Sequence, residues 1–216
     1  MPTLFDDTTE FDSLSEDLGP GTAILRGLAR ARETQIMDAL FSVAAQSKFR
    51  HMVTPGGFRM SVAMTNCGSL GWVTDRTGYR YAAIDPERGS PWPKMPRVFM
   101  DLAREAATNS GYPAFVPDAC LVNRYEPGAR LTLHQDKNEN DFREPIVSVS
   151  LGLPAIFLFG GLERSDKTTR VPVFHGDVLV WGGPARLRYH GVNPLKNGFH
   201  QLAGGYRFNL TFRKAA

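Results

Sequence analysis

Cysteine is scarce in this 216-residue chain: only Cys67 and Cys120 occur, far apart and in no C-x-x-C pair. That excludes a disulfide framework and a cysteine-rich zinc site, fits a reducing compartment, and leaves both thiols as packing groups. Long apolar runs are also missing. Hydrophobic residues make up 42% of the chain, yet no stretch approaches the roughly 20 residues that a bilayer span needs. The expectation is a soluble protein with no membrane partner. Lys and Arg are absent from the first 25 positions, which instead carry Asp6, Asp7, Glu10, Asp12, Glu16 and Asp17. This is the opposite of a signal or transit peptide, so a cytoplasmic location is expected. Setting those six aside from the 22 Asp and Glu leaves 16 acids against 25 Lys and Arg, a body charge of +9 where the whole chain carries +3. Such a body suits a polyanionic partner, although many soluble proteins are mildly basic and charge alone does not choose one.

What is present reads as one domain over residues 21–216, preceded by an acidic, poorly ordered lead-in over 1–20 that ends at Gly19-Pro20-Gly21. Residues 31–46 place Ile36, Met37, Leu40, Val43 and Ala44 on one side at helical spacing. A second helix is predicted from Pro96 to about Asn109, with Val98, Phe99, Leu102, Ala103 and Ala106 inward and Gly111 as its stop. Between the helices, residues 52–93 break into short alternating runs at Pro-Gly-Gly, Asn-Cys-Gly, Arg-Thr-Gly and Glu-Arg-Gly-Ser, punctuated by Trp72, Tyr79 and Tyr81. That texture predicts hairpins and exposed loops. Short strands follow at 119–125, 146–151, 155–159, 171–174, 178–181 and 206–212. The fold class is therefore mainly β with flanking helices, an α+β chain closing as a sandwich or jelly roll over residues 118–216.

Two patterns bear on chemistry. His134 and Asp136 are two residues apart, so on a strand they point the same way. Imidazole and carboxylate together suit Fe(II), Mn or Zn, and a second histidine would complete the facial triad of non-haem iron oxygenases. His51, His175, His190 and His200 are the remaining candidates. His175 lies in a hairpin-turn sequence that predicts a solvated ring, whereas His190 ends a strand-like run before Gly191, suited to presenting one side chain inward. At the C-terminus, strict alternation puts Phe208, Leu210 and Phe212 on one face and Arg207, Asn209, Thr211 and Arg213 on the other. An open sheet would leave those arginines in water. Inside a closed sheet they would need anionic partners, and a dicarboxylate gripped by bidentate hydrogen bonds is one, with Asn123 and Tyr125 as further donors.

Taken in order, Asn123-x-Tyr125, Pro127-Gly128, His134-x-Asp136, Val147-Ser148-Val149-Ser150-Leu151-Gly152, His190-Gly191 and Arg207-x-Asn209-x-Thr211-x-Arg213 resemble the AlkB family of Fe(II)/2-oxoglutarate-dependent alkylation-repair dioxygenases, its bacterial members in particular. The likeness runs over nearly the whole chain. It implies a double-stranded β-helix, the cupin-like jelly roll, flanked by helices, with a nucleotide-recognition lid over residues 52–93. It implies Fe(II) on His134, Asp136 and His190, and 2-oxoglutarate contacting Asn123, Tyr125, Arg207, Asn209 and Arg213. With O2, the co-substrate would leave as succinate and CO2 while a methyl group on a base nitrogen is hydroxylated and lost as formaldehyde. The implied lesions are of the N1-methyladenine and N3-methylcytosine type, in single-stranded DNA first, with double-stranded DNA and RNA as further partners of a monomeric enzyme. Trp72 would stack on the damaged base against His134, and Thr54, Met64, Tyr79, Asn138 and Arg164 would contact the nucleotide.

The chemistry agrees with the residue types. Three protein ligands leave positions open for co-substrate and oxygen. A methylated base is cationic and has lost its pairing, which lowers the cost of extruding it and favours aromatic stacking. One position departs: bacterial members carry an acid two residues after the metal aspartate, and this chain has Asn138, an acceptor without charge. The rivals are a related dioxygenase acting on modified tRNA or protein, and a non-catalytic cupin-like nucleic-acid binder.

Overall fold

A computed structural model describes residues 15–216, so the first 14 residues of the lead-in expected over residues 1–20 lie outside the described residues. The chain opens on a hairpin, β1 (Ser15–Asp17) and β2 (Thr22–Leu25), and one 3-10 turn leads into α1 (Glu33–Gln46). Then come β3 (Ala63–Gly68), the hairpin β4 (Gly71–Asp75) and β5 (Gly78–Ala82), the short ribbon β6 (Ile84–Asp85) and β7 (Ser90–Pro91), and α2 (Arg97–Asn109). The remaining strands are β8 (Ala119–Tyr125), β9 (Leu131–His134), β10 (Ile146–Gly152), β11 (Ala155–Phe159), β12 (Thr169–Val173), β13 (Val178–Trp181), β14 (His190–Val192) and β15 (Arg207–Arg213).

Two antiparallel sheets face each other. The larger has the order β1-β2-β13-β10-β15-β8-β3 and the smaller β12-β11-β14-β9, the two-layer arrangement of a jelly roll. Alternation sorts the side chains of the large sheet into two cores. Phe208, Leu210 and Phe212 of β15, with Val147, Val149 and Val122, pack against Ile36, Leu40, Phe99 and Leu102 of the helices. The opposite face sends Leu121, Tyr125, Leu179 and Trp181 to meet Phe157, Phe159, Val171 and Val173 of the small sheet. Each large side chain so buried contributes about 1.5–3 kcal/mol. Arg207, Asn209, Thr211 and Arg213 lie on this inner face and are all buried, so β15 has no half-exposed face.

Several boundaries differ from the sequence expectation. The end of the acidic lead-in is ordered as strand: Ser15–Asp17 pairs with β2, which pairs with β13 and extends the sheet. The acids drew attention to disorder, while the pairing information sits in the apolar Ile24 and Leu25 beyond them. Within residues 52–93, β3 belongs to the main sheet through its ladder with β8, so Asn66-Cys67-Gly68 is strand rather than a break. That ladder sets Cys67 directly opposite Cys120, both as buried thiols. The other breaks are turns, where Gly78 and Gly89 adopt φ of 132° and 65°, conformations that favour glycine. Pro96 caps α2, whose buried face holds Phe99, Leu102, Ala103, Ala106 and Ala107, with Val98 only partly covered. No helix among the described residues is long and apolar enough to cross a membrane.

Candidate metal centre

β9 and β14 are ladder neighbours in which His134 and His190 are partners, their ring centroids 4.4 Å apart. Asp136 is not on the strand, as the alternation argument assumes. It lies two residues beyond the end of β9, and Arg213 reaches from β15 to hold it, donating from Nε and Nη2 to Oδ2 at 2.8 and 2.6 Å. One ligand atom from each of His134, Asp136 and His190 falls within 4.8 Å of the others, and no other such group of three occurs among the described residues.

Hydrogen bonds orient both rings. His134 Nδ1 faces the Thr132 carbonyl at 2.8 Å and His190 Nδ1 the Arg188 carbonyl at 3.0 Å. A carbonyl only accepts, so each Nδ1 carries the proton and each Nε2 presents a lone pair. Those Nε2 atoms lie 3.9 and 3.7 Å from Asp136 oxygens. Burial lowers the His190 pKa to about 4, aided by His134, which keeps the ring neutral at physiological pH. Burial alone would raise Asp136, but Arg213, with His190 and His134, holds it below the usual carboxylate range. A deprotonated carboxylate and two neutral imidazoles are the protonation states that a metal requires. The donor set therefore fits a divalent cation such as Fe(II).

Beside the three ligands a cavity of about 360 Å³ opens. Its inner end carries polar groups with unequal satisfaction. Asn209 is fully engaged: Nδ2 donates to Ser148 Oγ and the Val149 carbonyl, and Oδ1 accepts from Asn123 Nδ2 and Thr211 Oγ1. Arg207 is not. Its Nε donates to Ser150 Oγ and its guanidinium lies over the Tyr125 ring, but Nη1 is buried without a hydrogen-bond partner, as is Asn123 Oδ1. A buried cation with no carboxylate partner is costly, and an anion in the cavity satisfies it. The two arginines of β15 thus divide: Arg213 is neutralised by the carboxylates of Asp136 and Glu139, and Arg207 faces the cavity with no carboxylate partner.

The cavity is also lined by Met64, buried on β3 opposite Asn123, and at its mouth by the exposed or partly exposed Thr54, Trp72, Tyr79, Asn138 and Arg164, six residues scattered over 110 positions of sequence. The Trp72 ring stacks on Tyr79, with centroids 5.7 Å apart and planes 22° apart, and its Nε1 donates to Asn138 Oδ1 at 3.2 Å. Asn66 clamps the Trp72 backbone from both sides, donating to its carbonyl and accepting from its N–H at 3.0 Å each. Nothing in the sequence marks Asn66 for this task, since it lies in a stretch that reads as a turn, and the motif that contains Ser148 and Ser150 does not show that they bond Asn209 and Arg207, 61 and 57 residues on.

The other histidines are elsewhere. His51 Nδ1 meets the Met60 carbonyl. His175, expected in solvent, is buried: the turn folds back on α1, so its Nδ1 accepts from the Gly152 N–H and its Nε2 meets Glu33 at 2.8 Å. His200 stacks on the His175 ring.

Residues 21–213 match the model of the 2OG-Fe(II) oxygenase superfamily. The chain is 60% identical over 200 residues to the alpha-ketoglutarate-dependent dioxygenase AlkB of Escherichia coli strain K12, covering 93% of each chain. It is 59% identical over 201 residues to the protein of that name in Salmonella typhimurium, again covering 93% of each. Among solved structures, that of OsALKBH1 superposes with a TM-score of 0.79 at 29% identity, covering 93% of this chain and all of that one.

Proposed function

The chain belongs to the AlkB family of the 2OG-Fe(II) oxygenase superfamily, and on that premise we propose that it removes methyl groups from alkylated bases of nucleic acid. The enzyme is an Fe(II)- and 2-oxoglutarate-dependent dioxygenase. Its iron would be held by His134, Asp136 and His190. When bound, iron and 2-oxoglutarate with O2 supply the oxidising equivalents that hydroxylate the N-methyl group, yielding succinate, CO2 and, from the hydroxymethyl base, formaldehyde.

The observation that carries the reading is the Arg207 guanidinium, buried in the same cavity as the three convergent ligands with no carboxylate partner and with its Nη1 lacking a hydrogen bond. Arg207 would bind the distal carboxylate of the co-substrate by charge-assisted hydrogen bonds, with Tyr125 and Asn123 alongside. Asn209 serves by fixing the Asn123 amide, and Arg213 by fixing Asp136. At the mouth, Trp72 would stack on the extruded base opposite His134, and Tyr79, Thr54, Met64, Asn138 and Arg164 would contact the nucleotide. Walls closed by the two sheets exclude water from the oxidising step.

Single-stranded DNA is the preferred substrate in this reading, since no pairing need be broken, with double-stranded DNA and RNA accepted and the enzyme acting as a monomer in the cytoplasm. Incubating the protein anaerobically with Fe(II), 2-oxoglutarate and an oligonucleotide bearing 1-methyladenine, then admitting air, should release formaldehyde in step with succinate. No release, with His134→Ala indistinguishable from wild type, defeats the proposal.

A further inference from the structure

A second polar layer lies behind the metal centre and outside the cavity. Its hub is Glu139, whose side chain is 2% exposed. Three groups converge on that carboxylate: the Tyr81 hydroxyl donates to Oε1 at 2.6 Å, Arg186 Nη2 donates to Oε2 at 3.0 Å, and Arg213 Nε lies 3.5 Å from Oε1. Both arginines also hold Asp136. Arg213 grips its carboxylate, and Arg186 Nη1 donates to its backbone carbonyl at 2.8 Å. Asp136 and Glu139 thus balance Arg186 and Arg213 in one buried, charge-neutral quartet, an arrangement in which the loss of any member is felt by the rest.

Tyr81 is the member that comes from the β4–β5 hairpin. It is the ladder partner of Trp72 and lies on the same strand face as Tyr79, so it sits one residue pair from the aromatic stack at the cavity mouth. Neither Tyr81 nor Glu139 lines the cavity. What they share with it is Arg213, whose Nε lies within reach of two carboxylates, at 2.8 Å from Asp136 and 3.5 Å from Glu139. With the Tyr81 hydroxyl in place, Glu139 Oε1 has its own short donor and Arg213 stays on Asp136. Were the hairpin to draw away, Oε1 would lose that donor and compete more strongly for Arg213, at the expense of Asp136.

We propose that Tyr81 and Glu139 are positioning residues that couple closure of the β4–β5 hairpin over a nucleotide to the placement of Asp136, so that nucleic acid and the loaded metal centre bind cooperatively. The inference rests on the functional reading above. Such coupling is reciprocal: whatever factor the loaded centre adds to nucleotide affinity, the nucleotide adds to metal affinity. A merely structural Glu139 would affect stability and leave that factor unchanged.

The test is a binding experiment without turnover. Affinity for a 1-methyladenine single-stranded oligonucleotide is measured by fluorescence anisotropy, under anaerobic conditions and with saturating 2-oxoglutarate throughout, for metal-free protein and for protein loaded with Mn(II). Wild type is expected to bind at least about fivefold tighter when loaded, and Mn(II) titration with and without oligonucleotide should return the same factor. In Tyr81→Phe, which removes one oxygen and keeps the ring, the factor should fall to within about twofold of one. Glu139→Gln, which keeps an acceptor for Tyr81 and removes the charge, should lower it too. If Glu139→Gln does not fold, Tyr81→Phe carries the test alone. A factor in Tyr81→Phe equal to that of wild type overturns the proposal, as does a wild-type factor of one. Formaldehyde release by wild type, assayed in parallel, separates the levels: with release intact, failure belongs to the coupling alone, and without release the functional reading fails and takes the coupling with it.

Discussion

His134 and His190 face each other as ladder partners, and the residue after His190 is a glycine because the neighbouring strand leaves no space for a side chain. A Cβ on Gly191 would meet the Leu131 carbonyl oxygen at 2.7 Å, and that atom is backbone of β9, the strand that ends on His134. Gly191→Ala must therefore push β14 away from β9 and separate two metal ligands. We expect Mn(II) affinity, followed by electron paramagnetic resonance titration, to fall about tenfold or more, equivalent to at least about 1.4 kcal/mol. Unchanged affinity would mean that the ladder does not set the ligand spacing.

Arg207 yields opposite effects on binding and on stability. Arg207→Met removes a buried cation that lacks a carboxylate partner, so the ligand-free protein should melt at the same temperature or higher. Binding of 2-oxoglutarate to the Mn(II) protein, measured by calorimetry, should weaken by about 30- to 150-fold, the loss of about 2–3 kcal/mol of charged hydrogen bonding. A melting temperature lowered by many degrees with 2-oxoglutarate affinity intact would assign Arg207 to the scaffold instead.

Trp72 stacks on Tyr79 and is held by Asn66, so its indole is already fixed at the cavity mouth. Base stacking on such a platform is worth about 1–3 kcal/mol. Trp72→Ala should weaken binding of the methylated oligonucleotide about 5- to 150-fold and leave 2-oxoglutarate affinity within about twofold, since Arg207 is at the other end of the cavity. Equal weakening of both ligands would show that the substitution has disturbed the fold.

Asn138 accepts from the Trp72 indole and presents no charge to the mouth. Replacing it by aspartate puts a formal negative charge beside the base, which favours cationic 1-methyladenine and 3-methylcytosine over neutral etheno adducts. Charge-assisted hydrogen bonds are about twice as strong as neutral ones, so in competition assays Asn138→Asp should raise the cationic-to-neutral preference by about three- to tenfold. Identical preferences would remove Asn138 from the determinants of specificity.

How much of this was readable in the chain depends on whether the partner lies nearby in sequence. Strand β15 was legible residue by residue, because Phe208, Leu210 and Phe212 alternate with Arg207, Asn209, Thr211 and Arg213, and period-two alternation needs no tertiary knowledge. The family pattern singled out His134, Asp136 and His190, and the fold brings them together. It does not reveal that Arg213 is neutralised by Asp136 and Glu139 while Arg207 keeps an unpartnered nitrogen; that division follows from which side chains meet across the sheet. Tyr81 reads in the sequence only as one aromatic of the hairpin region, and Glu139 and Arg186 as ordinary charged residues, until the three are brought together by the fold. His175 departs from the expectation because its turn sequence describes the backbone correctly and says nothing of Glu33 on α1 or of His200, which meet the ring. The hairpin at Ser15–Asp17 departs from the expectation because acidity predicts disorder, whereas two hydrogen-bonded strands tolerate acids on an exposed face.

That hairpin has a bearing on how the molecule behaves among copies of itself. A seven-stranded sheet must end somewhere, and an unpaired strand edge is a template on which another chain can add. Here the outermost strand is three residues long, fully exposed, and two of the three are Glu16 and Asp17. Its brevity offers few free backbone groups, and since Arg26 already holds Glu16 through two hydrogen bonds, it is length more than net charge that guards the edge. Among the described residues the sheet thus ends on a strand too short to template a long ladder with another chain.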